Sequence, residues 1–81
     1  MTPTEIEIIL RSEFLQIAPD IDIDSIERDA DLRDEFDIDS IDFLNLITAL
    51  SKHFGTEMPE SDYDQMGSFD ALLSYLVGKT R

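Results

Sequence analysis

Three groups of residues in this chain have types and spacings suited to chemistry. The first is acidic. Asp20, Asp22, Asp24 and Asp31 match positions one, three, five and twelve of a calcium-binding loop. The match is incomplete. Ser25 stands at the sharp-turn glycine position, and Asp31 stands where a longer bidentate glutamate is needed. Glu27 takes the apolar position after the turn, and Ala18-Pro19 breaks the helix that should lead in. The expected state is a solvated acidic loop, with an acidic calcium-binding helical module as the alternative function. The second group is His53, the only histidine. It lies thirteen positions after Ser40 on one expected helix, about 20 Å away at about 1.5 Å per residue. That separation rules out a hydrolytic Ser/His/Asp arrangement, and His53 suits the negative end of its helix. The three glycines are isolated, so no loop cradles a phosphate. The third group is Asp37-Ile38-Asp39-Ser40-Ile41-Asp42. A serine at a helix start is first of all a cap. Its neighbours set it apart: Ile41, Leu44 and Thr48, at offsets of three and seven, form a strip separate from the buried stripe. An exposed hydroxyl beside a second apolar strip reads as a docking surface.

The elements that must position Ser40 follow from periodicity. Thr2-Pro3-Thr4-Glu5 opens a first helix, with Thr2 and Glu5 as a capping box and Pro3 at the first helical position. Ile6, Ile9, Leu10, Phe14 and Ile17 share one face of it. Ala18-Pro19 ends it. Asp20 to Asp39 has no long periodic segment, and reads as an ordered loop pinned by Ile21, Ile23, Ile26, Leu32, Phe36 and Ile38. A loop this long should contain short helical turns. A second main helix runs from about Ser40 to about Phe54, capped by Asp39 or Ser40, with Phe43, Leu46, Ile47, Leu50 and Phe54 buried and Gly55 as its stop. Ser61 to Met66 suits one or two turns. Ser68 caps a last helix whose stripe is Phe69, Leu72, Leu73 and Leu76. The expected fold class is all-α: a small bundle of three main helices plus one short helix, in one domain spanning residues 1–81.

Bulk properties narrow the function. Nineteen acids against six Lys and Arg give a net charge of −13. That charge repels nucleic acid and anionic membrane surfaces, and favours a monomer that meets basic partner surfaces quickly. A hydrophobic content of 42% with clear periodicity excludes a disordered acidic tail. No apolar run is long enough for membrane insertion, and Met1, read as a native start, opens no secretory signal. There is no cysteine, which fits a cytoplasmic location. Any thiol chemistry must come from an added group.

With these residues in place, the chain from about Ala30 to Leu76 resembles an acyl carrier protein. The family's Asp-Ser-Leu signature, followed by an acid at a helix start, stands here as Asp39-Ser40-Ile41-Asp42. Phe54-Gly55-Thr56-Glu57-Met58-Pro59 is similar to the family's Phe, spacer, Ile-Pro segment, and Ser68-Phe69 to the start of its last helix. The resemblance implies a carrier with no catalysis of its own. A phosphopantetheinyl transferase would attach 4′-phosphopantetheine from coenzyme A to Ser40, with Asp39 and Ile41 beside the attachment. Acyl groups would then ride as thioesters to acyl-processing enzymes of a fatty-acid, polyketide or specialised lipid pathway. Asp42, Leu44, Asn45 and Thr48, with Ile41, would meet basic patches on those partners. Acyl chains would slide between the helices against Phe43, Leu46, Ile47 and Leu72. The chain departs from the family pattern at Asp37, where glycine is common, at Asn45 and Ser51, where acids are common, and at the bulky Phe43. Lys52 and His53 dilute the charge further. These departures point to a free-standing carrier with a specialised cargo.

Overall fold

The computed structural model describes residues 1–80. Helix α1 spans Pro3–Ile17, α2 Leu32–Phe36, α3 Ser40–Phe54 and α4 Phe69–Lys79, with a 3₁₀ helix over Glu60–Gln65 between the last two. No strand forms among the described residues; Asp31 and Ser68 make one isolated antiparallel bridge.

Each main helix starts where the sequence supplies a cap. Thr2 Oγ1 accepts from the Glu5 amide at 3.2 Å, and Glu5 Oε1 accepts from the Thr2 amide at 2.9 Å. These two bonds satisfy donors that a helix start leaves unpaired. Ser68 Oγ accepts from the Ala71 amide at 3.1 Å and starts α4. Gly55 ends α3 in the left-handed region at φ 63, where a side chain would be strained.

The core is one cluster. Ile6, Leu10 and Phe14 of α1 meet Leu46, Ile47 and Leu50 of α3 and Phe69, Leu72 and Leu76 of α4. The Phe14 ring stacks on Phe36 at 4.4 Å and tilts against Phe69 at 5.5 Å. Ile9, Ile17, Phe54 and Leu73, expected on the buried faces, lie half-buried at their edges.

The segment between α1 and α3 contains a short helix, as its length led us to expect. Its last part winds into α2, started by Asp31, whose carboxylate accepts from the Arg33 amide at 2.8 Å. Leu32 and Phe36 are its buried residues. One i, i+4 apolar pair is too little pattern to announce a helix in advance. The fold therefore carries two minor helical segments beside its three main helices, not one. The segment is tied down at long range. The Leu32 amide donates to Gly67 O at 2.9 Å, and the Asp70 amide donates to Arg28 O at 3.0 Å. Arg28 also donates to Glu7 at 2.6 Å and to Asp70 at 2.7 Å, with its guanidinium 4.7 Å from the Phe69 ring centre. That pairing holds the Glu7 carboxyl below the usual carboxylate range. One arginine thus joins the loop to both α1 and α4.

Candidate functional site

Ser40 is the first residue of α3, and its neighbour Asp39 is the N-cap. Asp39 Oδ1 accepts from the Asp42 amide at 2.8 Å, and Asp42 Oδ2 faces the Asp39 amide at 3.5 Å. This reciprocal pair closes the helix start. Of the two candidate caps, Asp39 does the capping, so the exposed Ser40 hydroxyl is left free of that duty. An exposed hydroxyl on a rigid helix end, backed by its own cap, fits an O-linked group that must stand clear of the protein.

Helix α3 separates two faces behind Ser40. Ile41 is 69% exposed and Leu44 49% exposed. Asn45 and Thr48 are also exposed. Thr48 donates its hydroxyl to Leu44 O at 2.9 Å. That bond takes the donor out of play at the strip formed with Ile41 and Leu44. Asp42 is half-buried, and its carboxylate serves the cap as well as the surface.

Two cavities that share Arg33, Phe43 and Tyr63 lie side by side, the nearer bordered by Ser40 and Leu44. One, of about 330 Å³, is lined by Ser40, Leu44 and Glu60 together with Arg33, Phe43 and Tyr63. The other, of about 350 Å³, is lined by the same Arg33, Phe43 and Tyr63 and continues past Asp31, Leu32 and Asp64 to Gly67. Phe43 and Tyr63 meet edge to face with ring centres 5.5 Å apart, and the Arg33 guanidinium lies 6.0 Å from the Phe43 ring centre. Arg33 forms no ion pair among the described residues, unlike Arg11 and Arg28. Of the four residues expected to line an acyl pocket, only Phe43 borders these cavities. Leu46, Ile47 and Leu72 are closed into the core at 0–2% exposure.

Arg33 and Tyr63 were not singled out from the sequence. Arg33 sits in a stretch without periodicity, and Tyr63 in a short turn, so neither belongs to a stripe. The segment carrying Tyr63 is held by Tyr75 of α4, whose hydroxyl donates to Asp62 at 2.6 Å. Burial and the adjacent Asp62 carboxylate push the Tyr75 phenol up to about 12.

The acidic loop is not assembled as a metal site. Asp22 accepts from the Asp24 amide and the Ser25 hydroxyl, Asp24 pairs with Arg11, and Asp31 caps α2. No group of three or more acids or histidines among the described residues comes together to hold a metal ion. Local turns and ion pairs use these carboxylates one by one. His53 is exposed against Phe54 at the far end of α3 from Ser40. No helix among the described residues is long and apolar enough to cross a membrane.

Comparison with known proteins agrees with this geometry. A family model for a phosphopantetheine attachment site matches residues 10–76. An acyl carrier protein of Lactobacillus johnsonii is 34% identical over 56 residues, covering 69% of this chain and 70% of that protein. The solved structure of an acyl carrier protein from Enterococcus faecalis superposes with a TM-score of 0.75 at 26% identity, over 98% of this chain and 99% of that one. The solution structure of an Anaplasma phagocytophilum protein assigned to the same class gives 0.84 at 21% identity, over 100% of this chain and 94% of that one, and speaks for the fold alone. The chain belongs to the acyl carrier protein family, whose members carry a covalently attached 4′-phosphopantetheine.

Proposed function

We propose that this protein is a non-catalytic, monomeric cytoplasmic carrier that holds acyl groups on an arm attached at Ser40 and presents them to enzymes of a specialised pathway. The observation that carries this reading is the division of labour at the start of α3. Asp39 and Asp42 close the cap, which leaves the Ser40 hydroxyl exposed and uncommitted. Attachment forms a bond from Ser40 Oγ to phosphorus and breaks the pyrophosphate of coenzyme A. Adenosine 3′,5′-bisphosphate leaves, and the hydroxyl proton passes to the transferase. When bound, the group supplies a thiol, which this chain lacks entirely.

The chain's own residues orient and recognise. Asp39 fixes the backbone around Ser40 and offers a charge to the transferase. Ile41, Leu44 and the Thr48 flank form an apolar strip that partner enzymes cover. Asp42 and the net charge of −13 steer basic surfaces toward it. Asn45, Lys52 and His53 make this face less acidic along its length, which selects partners by apolar contact near Ser40 more than by charge farther down α3.

The test is intact mass after incubation with a phosphopantetheinyl transferase, Mg²⁺ and coenzyme A. The wild-type chain should gain one arm, and Ser40→Ala should gain none while keeping the same helical circular dichroism. A gain that persists in Ser40→Ala would move the attachment elsewhere.

A further inference from the structure

The charges around Ser40 give Arg33 a role, resting on the function proposed above. We infer that Arg33 is the counter-ion of the phosphodiester formed at Ser40, and that it ties the root of the arm to α2 whatever the arm carries.

Three observations converge on this pairing. The first is place. Arg33 and Ser40 are both exposed and line one cavity of about 330 Å³. The backbone at Arg33 is fixed. Its amide donates to the capping carboxylate of Asp31 at 2.8 Å, and the amide of the buried Leu32 donates to Gly67 O at 2.9 Å. The guanidinium lies 6.0 Å from the Phe43 ring centre, at the edge of the range of about 6 Å in which an aromatic face attracts a cation.

The second is availability. Among the described residues, Arg33 is the one cation lining that cavity, and Glu60 is the one acid. Arg11 and Arg28 are committed to Glu7, Asp24 and Asp70. Lys52 and Lys79 lie in the last turns of α3 and α4 and border neither cavity beside Ser40.

The third is need. A phosphodiester adds negative charge to a chain that already carries −13. Asp37, Asp39 and Asp42 all stand within three positions of Ser40. Asp39 sets its carboxylate on the Asp42 amide at 2.8 Å, so the positive end of α3, which would otherwise draw an anion, is already partly neutralised. Arginine suits the task, because its planar fork of donors matches phosphate oxygens.

The test is a cycle on the full chain, with the arm attached and confirmed by mass in the wild type, Arg33→Ala and Arg33→Lys. Each form is melted at low salt beside its arm-free counterpart, so that a purely structural effect of the substitution cancels. Failure of the wild type to gain the arm would overturn the carrier reading, and this inference with it. With the arm in place, attachment should lower the melting temperature of Arg33→Ala by about 2–4 °C more than that of the wild type, the size expected of one exposed ion pair in a small domain. Arg33→Lys should fall between the two, and the difference should fade at high salt. NMR reads the pair directly. The phosphodiester phosphorus signal should move in Arg33→Ala, and the wild-type Arg33 Nε signal should move on attachment. Equal melting shifts in the wild type and Arg33→Ala would overturn the inference, as would a difference that survives high salt. So would phosphorus and Arg33 Nε signals that do not respond to each other's removal.

Discussion

Two arginines each lie over a phenylalanine, and the molecule uses them in opposite ways. Arg28 lies 4.7 Å from the centre of the Phe69 ring and is held by Glu7 and Asp70, so that it ties the long loop to α1 and α4. Arg33 lies 6.0 Å from the centre of Phe43, lines both cavities beside Ser40 and forms no ion pair among the described residues. Acids outnumber bases by 19 to 6 in the whole chain. Lys52 and Lys79 also make no ion pair among the described residues; what sets Arg33 apart is its place in the lining of both cavities. The contrast separates a charge that holds the fold from one that stays available at the site.

The contrast breaks most visibly under substitution. Arg28→Ala removes two short charge-assisted bonds and a stacked guanidinium. Because the side chain is partly exposed, the expected loss is about 1–2 kcal/mol. Thermal unfolding should fall by about 4–8 °C for each kcal/mol lost. Arg33→Ala should leave unfolding within about 0.5 kcal/mol, because it removes no ion pair. Equal losses in the two variants would show that Arg33 also serves the fold.

The same contrast explains what could be read in advance. The main helices were legible because caps and stripes are local: Thr2 with Glu5, Ser68 with Ala71, and Gly55 at the end of α3 all act within a few positions. Ser40 was legible as a helix-start serine beside a second apolar strip, and the family signature gave its hydroxyl a role. Arg28 joins residues 21 and 42 positions away, and no local pattern reports such a bond. The paired cavities were hidden for the same reason, since Arg33, Phe43 and Tyr63 come from three segments. The interior acyl pocket was implied by the family resemblance; periodicity itself marks Phe43, Leu46, Ile47 and Leu72 only as buried, which is where the structure has them.

Asp37 sharpens the comparison on the acidic side of Ser40. It ends α2 in the left-handed region at φ 52, the one described residue other than glycine with positive φ. A side chain there costs about 1 kcal/mol relative to glycine, less the extra chain entropy that glycine brings to the unfolded state. Asp37→Gly also removes one negative charge from a crowded surface. The net expectation is a gain of about 0.5 kcal/mol in urea unfolding, with the mass gain at Ser40 unchanged. A loss of stability would mean that the Asp37 carboxylate makes a contribution larger than its backbone strain.

A further expected effect concerns the far wall of the cavities beside Ser40, where Tyr75 holds the turn that carries Tyr63. Its neutral phenol donates to Asp62 at 2.6 Å, whereas a phenolate would face a carboxylate at the same place. The folded chain therefore keeps the proton up to about 12, above the ordinary value of about 10 in an unfolded chain. The unfolded state releases its proton first, so the contribution is fully present below pH of about 10 and fades as pH rises through about 12. Tyr75→Phe removes the bond and its titration together. Below pH of about 10 the variant should be less stable than the wild type by about 0.5–1.5 kcal/mol, the usual net worth of one such bond. The gap should shrink between pH of about 10 and 12, while the other titrating groups, common to both proteins, cancel in the difference. A gap that stays constant across that window would show that the Tyr75 ring, by its packing, and not its hydroxyl, holds the wall in place.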